Sequence, residues 1–233
     1  MISGPDKRDT AEVGSDDIRR PRAILFDWDN TLVDTWVVIH HALKATFEAM
    51  GQEPWTLAEA RLRVRESARD AFPKLFGARS EEAMKVFYAT YEADHLEMLA
   101  PLPGAAALLR GLAGEPDLFL GVVSNKKGPI LRLEAEKLAW APYFGSLVGA
   151  NDAARDKPAP DAVDLALLPS GLNAGPDVWF VGDTDIDMLC AAATGCTGVL
   201  LRAEPPGATE FAGCEPRHYI DGCGALIELF RAV

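Results

Sequence analysis

Apolar residues along this chain gather into short unbroken runs, and each run stops at a polar side chain. "AILFD" stops at Asp27, "LFLGVVSN" at Ser124 and Asn125, "SLVGAND" at Asn151 and Asp152, and "DVWFVGD" at Asp183. "GVLLR" follows and stops at Arg202, and "RHYI" offers a late strand. Unbroken runs, as opposed to apolar–polar alternation, predict strands covered on both faces, as in a parallel sheet. Helical patterns fall between them, over 129–140, 160–168 and 186–194. Strands alternating with helices predict a doubly wound α/β domain, whose ligands sit at the carboxyl ends of the strands where strand order reverses. The polar strand ends then converge on one crevice.

One stretch breaks the alternation. Between 35 and 102 the pattern is helical throughout: "VVIHHALKATFEAMG" up to a stop at Gly51, "LAEARLRVRESARDAFPKLFG" up to a stop at Gly77, and "SEEAMKVFYATYEADHLEML" starting at Ser80. "APLPG" over 100–104 closes it with a hinge-like run. The expected organisation is a tail over 1–21, an α/β core over 22–34 and 103–233, and a helical cap over 35–102 inserted after the first strand.

Composition narrows the choice of partners. Nearly half of the 233 residues are apolar and the formal charge is −12, which argues against a nucleic-acid surface and against anionic membranes. No window approaches the ~18 consecutive apolar residues of a membrane span. "MISGPDKRDTAEVGSDDIRRPR" mixes both signs of charge with Gly and Pro and has no apolar signal core, so a loosely held tail and a cytoplasmic location are expected. Four cysteines (Cys190, Cys196, Cys214, Cys223) include no C-x-x-C pair, which favours reduced thiols over a disulfide or a zinc site. A monomer or homodimer is expected.

Four motifs carry candidate chemistry. In extended backbone, residues two apart point the same way, so Asp27 and Asp29 of "DWDNT" both face the crevice while Trp28 turns aside. Ser124 and Asn125 end the second core strand, Lys157 sits in "DKPAPD", and "GDTDID" supplies Asp183, Asp185 and Asp187. Each also has a plain structural reading: a turn, a strand end, a solvated loop lysine, a helix cap. Together, in this order, they fit phosphoryl transfer. Asp27, Asp29 and Asp183 offer hard oxygen ligands that suit Mg²⁺ and not zinc. Asp27 serves as nucleophile and metal ligand, and Asp29 as general acid and then base. Ser124, Asn125 and Lys157 hold the phosphoryl group, Asp183 holds the metal, and Asp187 supports the metal waters or Lys157.

"DWDNTLVDT", "VVSNK", "KPAPD" and "GDTDIDM" resemble, in order, the four motifs of the haloacid dehalogenase (HAD) superfamily, over residues 22–202. "DAFPKLFG" and "PLPG" look most like its phosphoglycolate phosphatase branch. The resemblance implies a Rossmann-like core with an α-helical C1 cap, Mg²⁺ dependence, an aspartyl-phosphate on Asp27, and a metal contact through the Asp29 backbone carbonyl that frees its side chain for acid–base work. The implied substrate is a small phosphorylated metabolite.

Two departures accompany it. Asn30 stands where the family commonly has glycine, and asparagine tolerates the left-handed conformation. The cap reads "RVRESARD" where a glycine-containing specificity sequence is common; Arg65 and Arg69, four apart, are expected to share a helix face aimed at a carboxylate or second phosphate, or else to be a solvated face paired with Glu66 and Asp70. The competing functions are a phosphomutase of the β-phosphoglucomutase type and a non-catalytic binding or regulatory protein that keeps the fold. Asp29 counts against a true dehalogenase, which lacks the second aspartate. His40, His41, His95 and His218 form no metal or catalytic pattern.

Overall fold

The structure, a computed structural model, describes residues 19–233. The tail expected over 1–21 lies outside the described residues except for 19–21, where Arg20 pairs with Glu115 at 3.0 Å. Among the described residues, no helix is long and apolar enough to cross a membrane.

The chain runs β1 (Ala23–Phe26), β2 (Val33–Asp34), α1 (Trp36–Ala49), α2 (Leu57–Arg63), α3 (Ala68–Phe76), α4 (Ser80–Met98), β3 (Ala100–Pro101) and α5 (Ala105–Ala113). It continues through β4 (Phe119–Lys127), α6 (Gly128–Lys137), β5 (Ser146–Ala150), α7 (Asp161–Leu167), β6 (Val178–Gly182), α8 (Asp185–Thr194), β7 (Thr197–Leu201), β8 (His218–Ile220) and α9 (Cys223–Arg231). All six apolar runs form strands of one parallel sheet, in the order β5-β4-β1-β6-β7-β8. Strand order reverses beside β1, so its carboxyl end opens into the expected crevice.

Both faces of the sheet are covered, which is why the runs do not alternate. Ile24 and Phe26 of β1 pack on one side with Leu109 of α5, Leu131 of α6 and Phe230 of α9. Ala23 and Leu25 pack on the other with Val163 of α7 and Cys190 of α8. Helices α5 and α9 were not among the elements expected from the sequence; α5 presents Leu108, Leu109 and Leu112 to the first of these clusters, and α9 presents Leu226 and Phe230. The four cysteines are free thiols and buried.

Helices α1 to α4 fill the interval between β2 and β3 and bury a cluster of their own around Leu43, Phe47, Phe72 and Phe76. β2 and β3 pair antiparallel, Val33 opposite Pro101, so the chain leaves and re-enters the sheet through one short ribbon. The long helical pattern ending at Gly77 divides in two. Thr56 and Glu59 form a reciprocal capping box that starts α2, Val64 is extended, and Ser67 restarts the chain as the N-cap of α3, its Oγ donating to Asp70 Oδ2 at 3.2 Å. The break corrects the expected register: Arg65 lies in the link and Arg69 in α3, not on one helix face. The Ser67-x-x-Asp70 start signal was present in the sequence.

Candidate active site

β1 ends at Phe26, yet the Asp27 N–H still donates to Val181 O at 2.8 Å, so the Asp27 carboxyl emerges at the carboxyl end of the central strand. The chain then makes one tight turn in which Trp28 O accepts from the N–H groups of Leu32 (3.0 Å) and Val33 (3.2 Å). Asn30 takes φ 60 within it, the left-handed conformation that asparagine tolerates. Trp28 is turned into the interior, its Nε1 donating to Glu134 at 2.7 Å.

Lys157 reaches this strand end from the loop before α7 and is buried, not solvated. Its Nζ donates to Asp27 Oδ1 and to Asp187 Oδ1, both at 2.7 Å. Asp187 divides its two oxygens between tasks. Oδ2 accepts from the N–H groups of Asp183 (3.1 Å) and Thr184 (3.0 Å) and from Thr184 Oγ1 (2.8 Å), capping α8, while Oδ1 faces the lysine. "GDTDID" is therefore both a helix cap and a wall of the crevice. Asp183 accepts from Thr31 Oγ1 at 3.3 Å.

Carboxylate oxygens of Asp27, Asp183 and Asp187 lie within 4.8 Å of one another. Burial pushes the Asp27 carboxyl up to about 7; Lys157 opposes that rise, and Asp187 and Asp29 add to it. Asp183 is raised well above the usual carboxylate range by burial and by Asp187 and Asp27. Burial opposes the charge on Lys157, but Asp187 and Asp27 overcome it and hold the ammonium above its ordinary range. Three carboxylates, two of them buried and Asp183 half-buried, outweigh one ammonium, and an all-oxygen donor set of this kind fits a hard divalent cation.

The Asp29 side chain stands outside that group of three and lines the cavity beside it. Its Oδ1 lies 2.7 Å from Lys126 Nζ. Ser124 is buried near the carboxyl end of β4, which runs on to Lys127 past an irregular register and does not stop at Ser124 and Asn125 as expected; its Oγ accepts from Lys126 N at 3.2 Å. Asn125 Nδ2 donates to Lys157 O at 3.2 Å and to Arg65 O at 3.5 Å, joining the strand end to the lysine loop and to the helical insertion.

Arg65 and Arg69 both reach core carboxylates. Arg65 Nε lies 3.2 Å from Asp185 Oδ1, and Arg69 Nη2 lies 2.8 Å from Asp156 Oδ1, whose side chain is 1% exposed. Neither pairs with Glu66 or Asp70: Glu66 takes Lys74, and Asp70 takes Ser67. Arg65 lines the cavity, and Arg69 is absent from its lining.

Lys126 and its partners were not anticipated. Its Nζ donates to Glu134 Oε2 at 2.5 Å, and fully buried Glu134 also accepts from Trp28 Nε1 and Tyr91 OH (3.2 Å) and meets His95 Nδ1 at 2.8 Å. Burial alone would raise Glu134, but Lys126 and the hydrogen bonds of His95 and Trp28 take it below its ordinary range. A usable signal existed. Ser124 and Lys126 are two apart in a strand and share a side, so a reading that placed one in the crevice placed the other. The remaining histidines stay outside the site: His40 bonds to Trp55 O and His41 pairs with Asp94.

The sequence between 24 and 201 matches the family model of the haloacid dehalogenase-like hydrolases. A phosphoglycolate phosphatase of Xanthomonas campestris pv. campestris is 31% identical over 186 residues, covering 78% of this chain and 83% of that protein. Its counterpart in Photorhabdus laumondii is 30% identical over 188 residues, covering 77% and 80%. Among solved structures, the haloacid dehalogenase-like family protein SP0104 from Streptococcus pneumoniae superposes with a TM-score of 0.79 at 23% identity, over 91% of this chain and 99% of that one. The chain belongs to the haloacid dehalogenase-like hydrolase family.

Proposed function

We propose that this hydrolase is a Mg²⁺-dependent phosphatase that cleaves a small phosphorylated metabolite through an aspartyl-phosphate on Asp27. Phosphatase activity is the common reading of its family and of its phosphoglycolate phosphatase relatives. The observation that carries the mechanism is Lys157, held at 2.7 Å from both Asp27 and Asp187 at the carboxyl end of the central strand. One ammonium there orients the nucleophile and faces an incoming phosphoryl oxygen.

Asp27 and Asp183, with the Asp29 backbone carbonyl that the family resemblance implies, would hold Mg²⁺, with Asp187 behind them. The bound ion supplies positive charge that allows an anionic nucleophile to meet an anionic phosphoester. Asp27 Oδ attacks phosphorus while the bond to the leaving oxygen breaks, and Asp29 gives that oxygen its proton. Asp29 then takes a proton from water as the water attacks phosphorus, releasing phosphate and restoring Asp27. Ser124 and Lys157 hold phosphoryl oxygens throughout.

The test is hydrolysis of p-nitrophenyl phosphate, with phosphoglycolate as a second substrate. Chelation is expected to stop turnover and Mg²⁺ to restore it. Asp27→Asn is expected to abolish it; full activity in that variant overturns the mechanism. Stoichiometric release of inorganic phosphate separates a phosphatase from a phosphomutase.

A further inference from the structure

A cavity of about 450 Å³ rises from Asp27, Ser124 and Lys157 into the helical insertion. That volume falls in the range, ~300–1,000 Å³, of pockets that enclose drug-sized molecules. Its floor is charged, and much of its wall is apolar: Trp36 and Ile39 of α1, Phe72 and Leu75 of α3, Phe87 of α4 and Ile130 of α6 face the same space. A two-carbon carboxylated alcohol would leave most of this surface uncovered.

The cations of the lining point the same way, because each already has a carboxylate. At the floor, Lys157 holds Asp27 and Asp187, and Lys126 holds Asp29 and Glu134. On the walls, Arg65 meets Asp185 at 3.2 Å, Arg63 meets Glu59 at 3.5 Å, Lys127 meets Glu92 at 3.7 Å, and Lys74 meets Glu66 at 2.5 Å. A carboxylate on the leaving group would have to share or displace one of these partners. An apolar leaving group displaces none and gains the walls.

We infer that the substrate is the phosphate monoester of a bulky apolar alcohol, aromatic or long aliphatic, whose leaving group lies on the apolar wall above Asp27. This rests on the phosphatase reading above and names the substrate class for that same site. The expected discrimination is graded, because each methylene that leaves water for the wall contributes separately, roughly fourfold in apparent affinity.

The experiment compares ethyl, butyl, hexyl and octyl phosphate, whose leaving alcohols differ little in reactivity, with phosphoglycolate. kcat/KM is expected to climb roughly fourfold per methylene until the wall is covered, leaving phosphoglycolate well below hexyl phosphate. A flat series, or phosphoglycolate as the best substrate, overturns the inference. Ile39→Asn and, independently, Leu75→Asn are expected to reduce the octyl-to-ethyl ratio; unchanged ratios in both overturn it. Calorimetric binding of the matching alkylphosphonates, which need no turnover, separates the two claims. Affinity that rises with chain length without any ester hydrolysis supports the apolar wall as the binding surface and defeats the phosphatase reading, and with it the substrate claim; hydrolysis with affinity blind to chain length keeps the phosphatase reading and overturns the apolar substrate class.

Discussion

His95 Nδ1, on a helix of the insertion, lies 2.8 Å from Glu134 Oε1, on a helix of the α/β core, and neither side chain is more than 2% exposed. Glu134 joins that histidine to Lys126, and Lys126 reaches Asp29. The insertion and the acid–base candidate are therefore connected through three buried polar side chains. Removing the hub is expected to be costly, because it leaves Lys126 with half of its compensation and strands three donors. Glu134→Ala is expected to lose ~3–5 kcal/mol of unfolding free energy, the range for breaking a buried charge pair, read by urea denaturation. A loss below ~1 kcal/mol would mean that water replaces the carboxylate at little cost.

Gly182 ends β6 directly beneath Asp187. A methyl group there collides with the Asp187 carboxylate, whose one oxygen caps α8 and whose other meets Lys157. Gly182→Ala is expected to lower kcat at least tenfold while the far-ultraviolet spectrum stays near wild type, because the damage is confined to the charged group at the strand end. Wild-type kcat would show that Asp187 need not hold its position.

Arg69 and Asp156 tie the insertion to the loop that delivers Lys157. Asp156 is buried and also accepts from Asn151 N at 3.0 Å, so losing the arginine leaves a carboxylate short of a partner. Arg69→Ala is expected to raise KM several-fold, with a smaller effect on kcat, since it loosens closure without touching the reacting atoms. Steady-state kinetics on the best substrate checks this, and an unchanged KM would show that the insertion closes without this pair.

Glu210 is taken down to about 2 by its hydrogen bonds with Arg202, helped by the Gly207 N–H. A carboxyl depressed in the folded state stabilises above its unfolded pKa and loses that contribution as pH falls through the folded value. The melting-temperature difference between wild type and Glu210→Gln is therefore expected to be constant from pH 5 to 7 and to shrink between about pH 4.5 and 2. Scanning calorimetry across that window checks the sign, and a difference that grows on acidification would contradict it.

The elements that were legible in the sequence are those whose cause is local. Apolar runs ending in Asp27, Ser124 and Asp183 require only that a buried strand finish at a ligand crevice, and all become strands of one sheet. Asn30 takes the left-handed conformation expected of it for the same reason, since its turn is made by its own neighbours. The Ser67 helix start was equally local and was hidden only by the apolar periodicity on either side.

Tertiary structure decided everything that depends on distant partners. Nothing within reach of Arg65 or Arg69 along the chain announces Asp185 or Asp156, which are brought there by helices folding back over the sheet. Glu134 reads as one more charge on an amphipathic helix until the packing of α4 against the core closes His95, Tyr91 and Lys126 around it. The chain's own residues determine a charged floor of aspartates and lysine at the strand ends. How much apolar wall stands above that floor, and which carboxylate each cation of the lining meets, follows from long-range packing and charge pairing that no local pattern encodes.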